Sequence, residues 1–155
     1  MESTNRISQT ELQSWGMATL RVVVGAVLMA HGAQKLFGFG IAGTAGFFAH
    51  AGLPVPLLSA VLSIGAEFLG GLLLIVGLFT RPAAAVIAFN MLVAVVVVHL
   101  KNGFFAPTGF EYPLTLMFAN IALVLTGAGA FALDNVRHFA SHSWHKGPTP
   151  APLNG

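Results

Sequence analysis

The 155-residue sequence contains no cysteine, and charged residues of both signs are scarce. Without thiols the chain has no disulfide framework, no thiolate nucleophile, no ligands for an iron–sulfur cluster and no dithiol redox cycle of its own. Charged residues make up 8% of the chain, whereas soluble domains average about 25%. The seven Lys and Arg residues do not form a basic cluster, so no nucleic-acid partner is expected. This composition predicts a protein whose main contact is with membrane lipid.

Long stretches of the sequence are apolar and contain few charged residues. Hydrophobic residues make up 55% of the chain, and the mean hydropathy is +0.80. About 20 apolar residues cross a bilayer as a helix, and four such segments are predicted over residues 17–37, 57–79, 83–100 and 114–133. In the first connection, Thr44 is predicted to cap a short helix that ends at Gly52. The predicted fold is all-α, a four-transmembrane-helix bundle with a short interfacial helix in the first outer loop.

The chain divides into three predicted parts: a polar N-terminal lead over residues 1–16, a membrane domain over residues 17–133, and a polar, proline-rich tail over residues 134–155. Positive residues are enriched on the cytoplasmic side of membrane proteins. Five basic residues fall on the side of the two termini and two on the opposite side, namely Arg6, Arg21, Arg81, Arg137 and Lys146 against Lys35 and Lys101. Both termini are therefore predicted to be cytoplasmic.

A cleaved secretory signal peptide is a rival interpretation of the first span. Its basic lead, its apolar core over residues 22–30 and the sequence Ala30-His31-Gly32 match that pattern. We favour a retained helix, because apolar helical character resumes beyond this point and three more predicted spans follow.

A single carboxylate, Glu67, lies near the middle of the second predicted span. An ionised side chain at that depth costs about 2.5–3.5 kcal/mol on insertion scales, so such residues usually face the bundle interior and have a partner. Small residues such as Gly70 recur beside it and predict the close approach of another helix. Two roles for Glu67 stay open. It is either a protonatable functional group or a structural one, hydrogen-bonded to Asn90, to Asn120 or to a backbone group.

Polar residues from three other segments are predicted to meet at the outer level of the membrane. His31 and Lys35 share one face of the first span because they are four residues apart. His99 lies near the outer end of the third span, and Glu111 lies just before the fourth. Above Glu67 these residues predict a polar pocket with apolar walls, which suits a quinone or phenolic head group. Lys35 is expected to pair with Glu111 or with a ligand oxyanion, and the histidines are expected to bind a carbonyl or relay protons.

Arg21 is predicted to anchor the first span at the cytoplasmic head groups. The alternative role is that of a buried partner for Glu67. Haem ligation by His31 and His99 is a further alternative, but no other haem signature accompanies these two histidines.

The tail contains His138, His142 and His145, which would share a face if this segment were helical. That arrangement is compatible with a divalent metal ion. A cytoplasmic surface segment is the favoured interpretation, because proline-rich tails rarely preorganise ligands. No metal site is predicted.

Several short motifs follow one another over about residues 17–134. They are Arg21, His31-Gly32-x-x-Lys35-Leu36-x-Gly38, Gly52-Leu53-Pro54, Glu67-x-x-Gly70-Gly71, Gly77-Leu78-x-x-Arg81, Gly109-x-Glu111-Tyr112-Pro113, Gly127-x-Gly129 and Asp134. Their order and spacing resemble the DoxX family. The resemblance implies a multi-pass protein of the bacterial cytoplasmic (inner) membrane with four helices. It also implies an association with quinone-linked oxidoreduction or with oxidative and thiol stress.

We therefore expect a redox- or stress-associated membrane subunit that binds a quinone-like or other small lipophilic ligand. The expected lining is Glu67, His31, Lys35 and Glu111, with His99 and Arg21 behind them. No intrinsic cofactor is expected apart from such a quinone, and the expected partners are a soluble oxidoreductase and further copies of the chain. Whether the protein is itself an enzyme stays open. The alternatives are a non-catalytic membrane scaffold or assembly partner, and a pathway for small solutes or protons.

Overall fold

The computed structural model describes residues 8–136, which fold into helices and connections without any strand. The predicted all-α class is therefore confirmed for this part of the chain. The helices are α1 (Gln9–Ala33), α2 (Gly40–Ala51), α3 (Pro56–Val76), α4 (Thr80–Val93) and α5 (Glu111–Thr126). A π-helical segment, Gln34–Phe39, joins α1 to α2, and α4 continues through the π-helical segment Ala94–His99 and the 3-10 turn Leu100–Asn102.

Three continuous helical stretches within residues 8–136 are long and apolar enough to cross a membrane: Gln9–Ala51, Pro56–Val76 and Thr80–Asn102. The fourth, α5, is apolar but shorter, with 16 residues. At 1.5 Å per residue it is about 24 Å long, somewhat less than the hydrocarbon core of about 30 Å. The large apolar side chains that remain exposed, such as Leu62, Phe89 and Phe118, lie on these helices. The structure is the predicted four-helix membrane bundle.

The first helix begins at Gln9, eight residues before the predicted start of the first span. Ser8 and Glu11 form a capping box there, in which the Ser8 hydroxyl accepts from the Glu11 N–H (3.2 Å) and the Glu11 carboxylate accepts from the Ser8 N–H (2.8 Å). The reciprocal bonds satisfy two N–H groups that the helix start leaves unpaired. Much of the predicted polar lead is therefore the first part of α1.

The short helix in the first connection is present, but Thr44 is not its N-cap. The helix begins at Gly40, and the buried Thr44 hydroxyl donates to the carbonyls of Lys35 (3.2 Å) and Gly40 (3.0 Å). The predicted end is confirmed. Gly52 has φ +91°, and its N–H donates to the Ala49 carbonyl, which is the left-handed cap that favours glycine.

The bundle consists of two main helix pairs, α1 with α3 and α4 with α5, and α2 packs on α3. Glycines bring α1 and α3 into backbone contact. A Cβ atom at Gly25 would lie 2.7 Å from the Gly71 carbonyl oxygen, and one at Gly71 would lie 2.6 Å from the Met29 nitrogen. Small residues allow this close packing where lipid provides no hydrophobic drive. Gly70, beside Glu67, instead faces the Ile87 side chain of α4.

Candidate functional site

Lys35 and Glu67 form an ion pair at one end of the bundle. The Lys35 Nζ atom lies 2.5 Å from Glu67 Oε1, and the side chains are 24% and 4% exposed respectively. Glu67 projects from the middle of α3, whereas Lys35 lies in the π-helical segment that follows α1. π-helical segments are rare and often occur at functional sites. The predicted pairing of Lys35 with Glu111 is wrong, because Glu67 takes that place.

Among the contacts within residues 8–136, the Glu67 carboxylate is hydrogen-bonded at one oxygen only. In addition to Lys35, Oε1 accepts from Asn90 Nδ2 (3.1 Å) and from the Ser63 hydroxyl (3.5 Å). Lys35 Nζ also donates to Ser63 Oγ (3.4 Å). Oε2 is buried and has no hydrogen-bond partner among residues 8–136. The predicted contact of Glu67 with Asn90 is confirmed.

Asn120 was the other predicted partner of Glu67, and this alternative is wrong. Asn120 is fully buried on α5, and its Nδ2 donates to the Leu116 carbonyl of the same helix (2.8 Å). The contact of Ser63 with Glu67 was not among the predictions, but the sequence indicates it. Ser63 precedes Glu67 by four residues and so lies on the same helix face.

A cavity of about 350 Å³ adjoins the ion pair. Its polar lining consists of Lys35, Ser59, Ser63, Glu67, Asn90 and His99. The rest of the wall is mainly apolar and comes from α2, α3 and α4, with Phe47, Phe48, Leu62, Phe89, Val93 and Val98 among its residues. Apolar walls with a few convergent polar groups are typical of small-molecule sites, which span about 300–1,000 Å³. The volume is at the lower end of that range.

His99 lines the cavity, as predicted, and its ring orientation is held by the loop before α5. Nδ1 lies 2.8 Å from the Thr108 carbonyl oxygen. Since a carbonyl only accepts, Nδ1 carries the hydrogen, and in the neutral ring Nε2 is an acceptor.

Glu111 and His31 do not line this cavity. The prediction that these two residues line it is therefore wrong. The Glu111 carboxylate accepts from the Ala106 N–H (2.7 Å) and so stabilises the loop between α4 and α5. His31 is exposed, and its Nε2 shares a hydrogen bond with the Tyr112 hydroxyl (3.0 Å). His99 lines the cavity, whereas His31 does not.

Arg21 is neither a head-group anchor nor a partner of Glu67, and both predicted roles are wrong. It is 1% exposed. Its Nη1 donates to the carbonyls of Leu74 (2.6 Å) and Ile75 (2.9 Å) in the last turn of α3. Its Nη2 donates to the carbonyls of Ala130 (3.3 Å) and Phe131 (3.4 Å) after α5. Helix ends leave carbonyls without intrahelical donors, so Arg21 caps α3 and joins it to the segment after α5.

Asp134 completes this second end of the bundle. Its Oδ1 accepts from the Phe79 N–H (2.8 Å) and its Oδ2 from the Thr80 N–H (2.9 Å), at the start of α4. A carboxylate at a helix N-terminus satisfies free N–H groups and complements the helix dipole. A wide, open cleft of about 870 Å³ lies here, with Arg81 and Gly127 in its wall. The first residue of the predicted tail is thus part of the bundle.

The histidines His138, His142 and His145 lie outside the described residues. Within residues 8–136 there is no group of three or more side chains that could together hold a metal ion.

The fold and the site define a helical membrane protein in which a buried glutamate pairs with a half-buried lysine beside a mainly apolar cavity. The DoxX family model matches residues 16–100, which is more than half of the chain. The chain belongs to the DoxX family.

Relatives from three bacteria support this assignment. The chain is 35% identical to "Putative oxidoreductase CatD" of Bacillus subtilis, over 77% of this chain and 84% of that protein. It is 38% identical to an uncharacterized protein of Haemophilus influenzae (77% and 88%) and 30% identical to "Inner membrane protein YphA" of Escherichia coli (74% and 84%). No solved structure matches the chain.

Proposed function

We propose that this protein binds a small lipophilic molecule with an oxygen-bearing aromatic head group, of the quinone class, in the cavity beside Lys35 and Glu67. The observation that carries the proposal is the position of an ion pair, with Glu67 buried and Lys35 half-buried, beside a mainly apolar cavity of about 350 Å³. Intramembrane ionisable residues are rare, and they commonly mark ligand or proton sites. A volume of this size suits a ring and the first part of a lipid tail.

The proposed setting is the bacterial inner membrane, with both termini cytoplasmic and the cavity towards the outer leaflet. The name of the Escherichia coli relative supports the location, and that of the Bacillus subtilis relative supports a role in oxidoreduction. Because the chain contains no cysteine, it has no thiol chemistry of its own. We place it as a membrane subunit that presents or receives the ligand beside a soluble oxidoreductase.

Binding of decylubiquinone and of a short-chain menaquinone to purified protein in nanodiscs tests the proposal. Saturable binding is expected for at least one of them. Ala94→Leu extends a side chain from the cavity wall, and overpacking of this kind costs about 1–3 kcal/mol. We expect it to weaken binding about tenfold, since 1.4 kcal/mol corresponds to a factor of ten.

Ala88→Leu is the matched control, because Ala88 is also half-buried and is not part of the cavity lining. Its affinity should equal that of the wild type. Absence of saturable binding to the wild type, or equal loss in both variants, would refute the proposed site.

The scaffold alternative has one specific observation in its favour. Glu67 binds Lys35, beyond α1, and Asn90, on α4, so the same side chains connect three segments of the bundle. If this were their whole role, Glu67→Gln should lower the thermal stability because Lys35 loses its ion-pair partner, and no quinone should bind to either protein. Crosslinking would then be the way to find the assembly partner.

A further inference from the structure

The exposed part of the cavity wall is wholly apolar. Four lining residues have more than half of their surface exposed, from 56% for Val86 to 67% for Phe89, with Phe47 and Leu62 between them. The polar residues of the lining, by contrast, are all buried or half-buried. A side chain that lines a cavity and is also largely exposed lies at the edge of that cavity. These four side chains therefore form the rim of a mouth, and the polar groups lie farther inside.

The mouth lies away from both ends of the bundle. α3 and α4 run in opposite directions, because only residues 77–79 connect them. At 1.5 Å per residue, Leu62 is about 9 Å from the start of α3, and Val86 is about 9 Å from the start of α4, at the opposite end. Both helices belong to stretches that are long and apolar enough to cross a membrane. The rim therefore borders the hydrocarbon region of the bilayer and not the aqueous phase.

The cavity is closed towards the end of the bundle that carries α2. Phe48, Leu53 and Val98 line it there and are at most 9% exposed. With Ala60 they form one apolar cluster, which joins α2 to α3 and to the continuation of α4. Since α2 belongs to the connection at this end, the cluster separates the cavity from the aqueous phase. The open side and the closed side thus face lipid and water respectively.

The volume of the cavity is a second reason for an opening to lipid. About 350 Å³ accommodates a ring and the first part of a tail, so the rest of a longer tail has to lie outside. An apolar rim lets the tail continue into the bilayer without desolvating a polar group beside it.

We infer that the cavity takes its ligand from the bilayer, through the lateral mouth formed by Phe47, Leu62, Val86 and Phe89, and that the ligand is a membrane-dissolved amphiphile whose tail stays in this mouth. This inference rests on the proposed function. It adds the route of entry and the class of ligand, which is a lipid-tailed molecule and not a water-soluble phenol or quinone.

The rate of binding distinguishes this route from entry through water, whereas the equilibrium affinity does not. Ubiquinone analogues with butyl, heptyl and decyl tails are incorporated with the protein into nanodiscs, each at the same mole fraction of the lipid. Every added CH₂ group lowers the aqueous concentration about fourfold. Entry from water therefore predicts an association rate that falls by about a thousandfold or more from the butyl to the decyl analogue. We expect the three rates to be about equal.

A fluorophore on Ile41→Cys reports the occupancy of the cavity, because a bound quinone quenches it. The wild-type chain contains no cysteine, so the label goes to one position. Ile41 is exposed on α2 and is not part of the lining. Relaxation after a temperature jump, measured at several mole fractions, gives the rates of association and dissociation.

Variants of the rim test the position of the mouth. Val86→Trp narrows it and should slow association and dissociation alike, by about tenfold, which is 1.4 kcal/mol in the barrier, with Kd unchanged. Val96→Trp is the matched control, because Val96 lies on the same helical stretch, is 54% exposed and does not line the cavity. Its rates should equal those of the wild type.

Phe89→Ala widens the mouth and should accelerate both rates. Its control is Phe118→Ala, since Phe118 is also exposed on a membrane helix but is not part of the lining.

The outcomes separate the two proposals. Association rates that fall with tail length overturn the inference and leave the ligand site in place. Equal rates in Val86→Trp and Val96→Trp, with the helical content retained, also overturn it. Absence of saturable binding of every analogue overturns the proposed function itself. If a rim variant does not fold, the series of tails decides.

Discussion

The two ends of the bundle each contain a cation and a carboxylate, Arg21 with Asp134 and the half-buried Lys35 with Glu67, but they use them differently. At one end, Arg21 donates to four backbone carbonyls and both oxygens of Asp134 accept backbone N–H groups. At the other end, Lys35 and Glu67 bind each other through side chains, and one oxygen of Glu67 has no partner within residues 8–136.

The difference separates a structural cluster from a binding site. Charged groups that are bound to helix termini fix the relative positions of α3, α4 and the segment after α5. A charged pair with spare hydrogen-bonding capacity beside a cavity has interactions left for a ligand. Charge alone does not distinguish the two ends. They differ in which polar atoms have hydrogen-bond partners within residues 8–136.

The largest expected effect comes from Arg21→Met. It removes a donor from four carbonyls, of which the Leu74 carbonyl keeps the Gly77 N–H, and each buried group that is left unsatisfied costs about 1–3 kcal/mol. We expect the free energy of unfolding in detergent to fall by about 3 kcal/mol or more, and the ligand affinity of the folded fraction to stay unchanged. Arg81→Met, an exposed residue at the same end, is the control and should change stability little. A loss of ligand affinity in Arg21→Met would remove the distinction between the two ends.

A smaller loss of stability is expected for Lys35→Met, with a loss of ligand binding that Arg21→Met does not cause. Removing one partner leaves a buried charge uncompensated, but Lys35 is 24% exposed, which lessens the cost. We expect the free energy of unfolding to fall by about 2 kcal/mol, as measured by thermal or denaturant unfolding.

The double variant Lys35→Met with Glu67→Gln should recover most of that stability, because it removes the remaining charge. Ligand affinity should stay low in both variants. Recovery of binding together with stability would mean that the ion pair acts only through the fold.

The smallest effect is expected for Asp134→Ala. It removes the acceptor of two N–H groups at the start of α4, and the loss of a helix cap costs about 1 kcal/mol. The affinity for the ligand should equal that of the wild type, as measured in the nanodisc assay. Asp134→Asn keeps one side-chain acceptor, and its stability should lie between that of the wild type and that of Asp134→Ala. A reduced ligand affinity in Asp134→Ala would connect the second end of the bundle to the site.

The helices were predictable because hydropathy and length determine which segments cross a bilayer. The end of α2 was also predictable, since Gly52 and the prolines after it stop a helix. The start of α1 was not, because its capping box lies among polar residues that hydropathy excludes from a span.

The site was predictable in part. The depth of Glu67 indicated a buried partner, and Asn90 was among those expected. Lys35 was expected to pair with Glu111, because both residues were placed at the outer level of the membrane. That argument does not take into account the bonds that each residue forms within its own segment. Glu111 binds the backbone of its own loop, and such short-range contacts depend on the loop conformation. Arg21 was placed at the head groups for a similar reason, since its position near a helix end does not reveal that unpaired carbonyls of α3 surround it.

Both π-helical segments contain a polar residue of the cavity, Lys35 in Gln34–Phe39 and His99 in Ala94–His99. A π-helical turn accommodates an additional residue, and successive residues of an α-helix are about 100° apart around its axis. Deleting one residue between Ala94 and His99 would restore α-helical geometry and rotate the His99 side chain away from the cavity. The number of residues in these segments therefore determines whether Lys35 and His99 point towards the cavity. One residue more or fewer in either segment changes which side chains face the cavity, although the residue types of the lining stay the same.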